Sequence, residues 1–315
     1  MNAPIKLAGF AATLAVLFGG GALAGGAVDL DRDKPAAPHA EAAEAKSEGA
    51  HGAASEEHEN VSDASHNENT SGGHGGETAA DPVRGLAVAE NGLRVVVEDP
   101  ELRRGRTEAV RFRIVDEGGE TVRDFDVEHT KRMHLIVARR DLTGFQHLHP
   151  QQDADGGWSV PLRLDDAGSY RLFADFSYDG EPSTLAADLR VDGAADLEAL
   201  PEPAPRAVSD GGYDVRLDAG RARLGQEADL RFAISRDGQS VHTEPYLGAG
   251  GHLVALREGD LAFLHVHPTE HGDDGGHDDG VGFAATFPTE GRYRLFLQFK
   301  HDRRVQTVAF TQEVK

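Results

Sequence analysis

Six histidines in this 315-residue sequence form two sets with identical spacing, the pattern in the chain best suited to chemistry. In each set, one histidine is followed by twelve other residues and then by two histidines separated by one residue. The sets are His134, His147 and His149, and His252, His265 and His267. Neutral imidazole is a common ligand for zinc and also suits Cu(II). The spacing predicts one three-histidine site per set, holding Cu(II) or Zn(II), whereas the competing interpretation is polar surface filler on exposed strands.

A β-hairpin would bring the second set together. The pair Gly259-Asp260 lies midway between its members, and glycine at the first central position favours a two-residue type II′ turn. A hairpin centred there places His252 directly opposite His267. His265 would share their face, because side chains alternate along a strand.

The same pairing applies to the first set, in which His134 would face His149 and His147 would lie beside them. The connection over residues 140–143 predicts a longer turn here, with a bulge at Gly144. Nearby, His129 is either an additional ligand or a loop residue.

Both sets belong to a longer internal repeat. Segments 134–150 and 252–268 agree at seven of 17 positions without gaps, and segments 168–173 and 291–296 also match. We expect one copy over 85–193 and a second over 207–315. A proline-rich linker at 194–206 separates them.

The repeats have the sequence character of β-structure. Runs such as 110–115 alternate in part between apolar and polar residues, and no long helical period occurs after residue 84. Two copies of about 110 residues, with turn signals at intervals, predict an all-β chain of two tandem immunoglobulin-like β-sandwiches.

The N-terminal residues predict export. Lys6 precedes an apolar run that ends in Ala22-Leu23-Ala24, which is typical of a signal peptide, so residues 1–24 are a cleaved signal or a membrane anchor. Residues 25–84 are rich in histidine, acid and small residues without any aromatic side chain, and predict a disordered linker. That linker would be a spacer, with weak metal scavenging as the secondary possibility.

Charge and composition narrow the range of partners. The formal net charge of −22 argues against nucleic acid and anionic lipid, so any membrane contact would be through the N-terminal segment. The chain has no cysteine, and Met133 is expected to point away from His134, so a soft Cu(I) site is poorly supported. The expected partners are a metal ion and another exported or membrane protein.

Four segments carry a resemblance to uncharacterised exported proteins of high-GC Gram-positive bacteria: MHLIVARRDLTGFQHLHP at 133–150, YRLFADF at 170–176, YLGAGGHLVALR at 246–257 and HVHP at 265–268. The chain is also similar, more distantly, to extracytoplasmic copper-binding β-sandwich proteins, although it lacks their Met-rich motifs. These resemblances imply an exported β-domain protein.

Two functions are compatible with these observations. The first is extracytoplasmic metal binding, in buffering, delivery or tolerance of copper or zinc. The alternative is a cell-surface adhesion or interaction module, two β-sandwiches on a stalk without a metal role. We expect no enzymatic activity. Glu128 or Asp141 could act as a general base near the first set, but the two sets share no candidate general base.

Overall fold

The computed structural model describes residues 83–264, 266–269 and 280–315. The predicted signal or anchor at 1–24, nearly all of the linker predicted at 25–84, and His265 lie outside these residues. Within the described ranges every regular element is a strand, and no helix is long and apolar enough to cross a membrane.

Ten strands build the first repeat, in two sheets. They are β1 (Ala89–Glu90), β2 (Leu93–Val97), β3 (Glu101–Leu102), β4 (Thr107–Val115), β5 (His134–Arg139), β6 (Gln146–Leu148), β7 (Gln151–Gln152), β8 (Trp158–Arg163), β9 (Gly168–Tyr178) and β10 (Glu181–Val191). One sheet has the order β1-β2-β4-β8-β7 and the other β3-β10-β9-β5-β6. All neighbours are antiparallel except β3 and β10.

The second repeat is built in the same way from its described residues. Its strands are β11 (Arg206–Val208), β12 (Asp214–Asp218), β13 (Glu227–Arg236), β14 (Gln239–Ser240), β15 (His252–Arg257), β16 (Phe263–Leu264), β17 (His267–Thr269), β18 (Gly280–Thr286), β19 (Gly291–His301) and β20 (Arg304–Val314). The sheets have the orders β11-β12-β13-β18-β17 and β16-β15-β19-β20, with β14 on β13.

The topology confirms the predicted fold class. In each repeat, four strands in the A-B-E-D order face a sheet that contains the C, F and G strands, which defines the immunoglobulin arrangement. Each repeat also has a tyrosine corner at the start of its F strand. The Tyr170 hydroxyl donates to the Asp166 carbonyl at 2.8 Å, and the Tyr293 hydroxyl donates to the Thr289 carbonyl at 3.0 Å.

Burial patterns explain why the strands form sandwiches. In β4, Val110, Phe112 and Ile114 are buried and the intervening arginines are exposed, as expected when only one sheet face packs on a core. All six residues of β5 are buried instead. A strand buried on both faces must have a second layer against its outer face, and that layer is the other repeat.

The two repeats pack through their C-F-G sheets. The apolar cluster between them joins residues of both copies, among them Ile136 and Val254. Phe145 stacks on Phe296 with ring centroids 4.0 Å apart, and Phe173 contacts Phe263 at 5.7 Å. These two contacts are equivalent, because Phe145 matches Phe263 and Phe173 matches Phe296 in the repeat. The interface therefore has approximate two-fold symmetry.

Candidate metal centre

The hairpin of β5 and β6 positions the first histidine set. Leu135 pairs with Leu148 and Ile136 with His147, which is the predicted register, so His134 and His149 occupy the next opposed positions. A buried ion pair holds the turn, since Asp141 accepts two hydrogen bonds from the Arg139 guanidinium at 2.9 and 2.7 Å. The set lies on the outer face of the sheet, the face that packs on the second repeat.

The three imidazoles converge. Their ring centroids are 5.2 Å apart for His134 and His147, 5.1 Å for His134 and His149, and 4.9 Å for His147 and His149. One nitrogen from each ring lies within 4.8 Å of the other two. A small shift of the side chains would bring all three nitrogens to a single ion.

A hydrogen bond to oxygen sets the tautomer of His147. Nδ1 of His147 lies 2.7 Å from Oε1 of Gln298, and Nε2 of His134 lies 3.2 Å from the carbonyl oxygen of Glu128. A carbonyl oxygen only accepts, so Nδ1 of His147 carries the proton of that neutral ring and its Nε2 is unprotonated. The Gln298 amide nitrogen donates in turn to the Thr307 hydroxyl at 3.3 Å, which orients its oxygen toward the histidine.

The inner nitrogens of the same two rings, Nδ1 of His134 and Nε2 of His147, lie only 2.9 Å apart. A neutral His134 has one proton for two acceptors, the Glu128 carbonyl and Nε2 of His147. Whichever of its nitrogens carries that proton, one contact is left with two facing lone pairs unless a second proton or a metal ion lies there. Nearby, Nε2 of His149 is buried and has no hydrogen-bond partner among the described residues.

A proton does not fill this role at neutral pH. Burial, opposed in part by the hydrogen bond to the Glu128 carbonyl, lowers the pKa of His134 to about 4. Burial, together with the neighbouring His134, lowers the pKa of His147 to about 3. Burial also lowers the pKa of His149 to about 4, with a contribution from Lys131. All three rings are neutral at pH 7, which is the form that coordinates a metal.

The second histidine set does not assemble as predicted. Ala255 pairs with Leu264 and Leu256 with Phe263, so the hairpin has the expected centre. Its connection is longer than the expected two-residue turn, because the Arg257 amide donates to the Ala262 carbonyl across four intervening residues.

Strand β16 then ends at Leu264, and the chain crosses to the opposite sheet. There His267 is exposed and pairs with Ala284 of β18, so the predicted pairing of His267 with His252 is wrong. Between β16 and β17, Val266 is buried in the core of the second repeat.

His252 joins the first set instead. Its ring centroid lies 4.8 Å from that of His147 and 5.7 Å from that of His134, and the planes of His134 and His252 are within 7° of parallel. His134 and His252 are equivalent in the repeat, so they meet close to the approximate two-fold axis. Burial, followed by the neighbouring imidazoles, lowers the pKa of His252 well below its usual value.

A fifth histidine comes from the turn before β5. His129 lies 6.1 Å from His134 and 5.8 Å from His252, measured between ring centroids. Glu128 and Lys131 exchange two backbone hydrogen bonds of 2.8 Å around His129 and Thr130, both with positive φ. A β-branched residue is strained there, and such strain concentrates at functional sites. We name the five residues His129, His134, His147, His149 and His252 the histidine cluster.

A buried carboxyl group lies beside the cluster. Asp175 pairs with His134 across β5 and β9 and accepts a hydrogen bond of 2.7 Å from the Thr184 hydroxyl. Burial raises the pKa of Asp175 to about 6. The equivalent pair in the second repeat is Gln298 with Thr307, so only the first repeat has an acid here.

Fold and site together define a protein of two tandem immunoglobulin-like β-sandwiches with a histidine cluster at the interface between them. The chain belongs to the family described as domain of unknown function DUF8832, whose sequence model matches residues 87–193 and 206–315. No curated protein matches the chain at a significant level.

Solved structures share only low overall similarity with this chain. The Escherichia coli adhesin FdeC is 15% identical over 73% of this chain and 66% of its own, with a TM-score of 0.26. A Salmonella alpha-2-macroglobulin is 14% identical over 74% of this chain and 15% of its own, also at 0.26. A chimeric titin Z1Z2 tandem is 14% identical over 71% of this chain and 99% of its own, at 0.19. These similarities do not bear on the function of the chain.

Proposed function

We propose that this protein binds a divalent metal ion, Cu(II) or Zn(II), outside the cytoplasm, through His134, His147 and His149. One observation carries the proposal: the inner nitrogens of His134 and His147 lie 2.9 Å apart, and a neutral His134 has one proton for this contact and for the Glu128 carbonyl. A cation bound between the inner nitrogens would form two coordinate bonds and leave the His134 proton to the carbonyl.

The surroundings of the three rings support this proposal. Metal-binding histidines commonly donate their second ring nitrogen to a carbonyl or carboxylate oxygen, which orients the ring and raises its basicity. The Glu128 carbonyl and the Gln298 side chain provide such oxygens. The buried Asp175 adds a carboxyl group that can offset the charge of the ion.

The donor set restricts the choice of ion. Imidazole suits Zn(II) and Cu(II), whereas Mg²⁺ and Ca²⁺ prefer oxygen ligands. Cysteine is absent from the sequence, so the site offers no thiolate.

The proposed cellular role is metal buffering, delivery or tolerance outside the cytoplasm. The N-terminal segment at 1–24 supports export, and an exported or membrane protein would be the partner in delivery. A cell-surface interaction module without a metal role is the competing function. Metal content distinguishes the two, because the competing function requires no tight site.

Calorimetric titration of the full chain, made without a His-tag, tests the proposal. We expect wild type to bind Zn(II) or Cu(II) tightly, and the His134→Gln/His147→Gln double variant to lose that tight phase. The matched control is His267→Gln, which removes an exposed histidine from the other sheet of the second repeat. Weak binding to the N-terminal histidines would persist in all three proteins.

Two outcomes would overturn the proposal. The first is the absence of a tight phase in wild type for both ions. The second is a double variant that folds, as judged by circular dichroism, and still binds as tightly as wild type.

A further inference from the structure

The approximate two-fold axis places a residue of the second repeat at the proposed metal site. His252 is the counterpart of His134, and it lies on the outer face of β15 with Val254, toward the first repeat. The repeat thus brings two copies of one histidine together. Among the described residues, the other two rings at the proposed site, His147 and His149, come from the first repeat.

Distances favour coordination by four rings. In a tetrahedral site with metal–nitrogen bonds of about 2.0–2.1 Å, the centroids of any two imidazoles lie about 5 Å apart. The three separations within the first set are 4.9 to 5.2 Å. His252 meets this separation to His147, at 4.8 Å, and lies 5.7 Å from His134. The nitrogens that already lie within 4.8 Å of one another are those of the first set, so the ring of His252 would have to shift toward them to join the ion.

The fifth member of the cluster fits less well. Both ring-centroid separations of His129, 6.1 Å from His134 and 5.8 Å from His252, exceed about 5 Å. His252, by contrast, has a separation of 4.8 Å from His147. The counterpart of His129 in the second repeat is Leu247, at the same position of an equivalent turn with positive φ. His129 would thus lie outside the first coordination sphere.

We propose that His252 is the fourth ligand, so that one ion is held by both repeats in a closed site. This inference rests on the proposed function and deepens it. Three protein ligands leave a position for water or substrate, whereas four close a tetrahedral site. The chain would bind one ion tightly rather than one per repeat, and tetrahedral geometry would favour Zn(II) over Cu(II).

Coupling between the repeats follows from the closed site. The ion would join two sandwiches that already pack through Phe145 on Phe296. Its release would require His252 to withdraw, and therefore a local opening of the interface. Such a site suits tight storage or slow delivery, and an open coordination position for catalysis would be absent.

Co(II) is a suitable probe, because its visible absorption reports coordination and it can replace Zn(II). We expect the full chain to bind one Co(II) tightly, with an intense tetrahedral spectrum that added azide does not change. The His252→Gln and His252→Ala variants should bind at least about 10–100-fold more weakly, the loss typical of removing even an outer-shell partner. Their spectra should shift with azide, which would enter the opened position.

His267→Gln serves as the matched control and should behave as wild type. The inference is overturned if azide changes the wild-type spectrum, if two ions bind tightly, or if both His252 variants keep wild-type affinity. If wild type binds neither Zn(II) nor Cu(II) tightly, the proposed function itself fails, whereas tight binding of Cu(II) without Co(II) or Zn(II) overturns the closed tetrahedral site alone. Circular dichroism of the metal-free variants identifies any that do not fold, and the wild-type azide and stoichiometry measurements decide the question without them.

Discussion

The buried histidines should make the metal-free protein sensitive to mild acid. The perturbation is a change from pH 7.5 to pH 5.0 without metal. In the unfolded chain a histidine has a pKa of 6.5, whereas in the fold His134 titrates at about 4 and His147 at about 3. At pH 5 protons therefore bind the unfolded chain and not the folded one. Stability is complete above pH 6.5 and is lost as pH falls toward the folded pKa.

The size of the effect follows from linkage. A group that is protonated with a pKa of 6.5 when unfolded and remains neutral when folded costs about 2 kcal/mol at pH 5. The rings of His134 and His147 together cost about 4 kcal/mol. That is a large part of the roughly 5–15 kcal/mol by which a typical domain is stable.

Urea denaturation of wild type and of the His134→Gln/His147→Gln variant measures this cost. We expect wild type to lose about 4 kcal/mol more than the variant between the two pH values, because only wild type carries the titrating rings. Comparing the two proteins cancels the contributions of carboxylates and histidines away from the cluster. Saturating Zn(II) should protect wild type alone at pH 5, since an ion that binds only the fold stabilises it. Equal losses of stability in the two metal-free proteins would refute the assignment of these rings as buried and neutral.

Three further changes test single contacts. Gln298→Leu removes the acceptor for His147 and should weaken Zn(II) binding about 10–100-fold in chelator competition. Gln298→Glu restores an acceptor and serves as the control. Unchanged binding by the leucine variant would contradict the tautomer assigned to His147. Phe296→Ala removes the stack on Phe145 and should cost about 3–5 kcal/mol in urea denaturation, and a cost below about 1 kcal/mol would argue against a tight interface between the repeats. Tyr170→Phe should lower stability by about 1 kcal/mol and leave Zn(II) affinity unchanged, so a change in affinity would contradict its purely structural role.

Two further patterns in the sequence indicate the packing and the fold. Residues 134–139 form a run that is apolar except at its two ends, which is typical of a strand covered on both faces. That run could have predicted a layer outside the first sandwich. The spacing of glycine and tyrosine in Gly168-Ser-Tyr170 also marks a tyrosine corner, a more specific indication of the immunoglobulin fold than alternation alone.

The sequence predicts the pairing within a hairpin, because hairpin register depends on residues close in sequence. The repeat, the all-β class and the convergence of His134 with His147 and His149 all follow from alternation and from a short connection. The sequence does not predict that the chain leaves β15 after Leu264 and crosses to the opposite sheet. There β17 pairs with β18 and Val266 is buried in the core of the second repeat, and such packing involves residues far apart in the chain.

The composition of the cluster was decided by tertiary structure. His252 contacts His147, which lies 105 positions earlier in the chain. Gln298 in β19 sets the tautomer of His147. No local pattern encodes these contacts, since they arise when two sandwiches bury their outer faces against each other. The sequence contained two histidine sets of equal spacing, and packing placed one member of the second set beside the first.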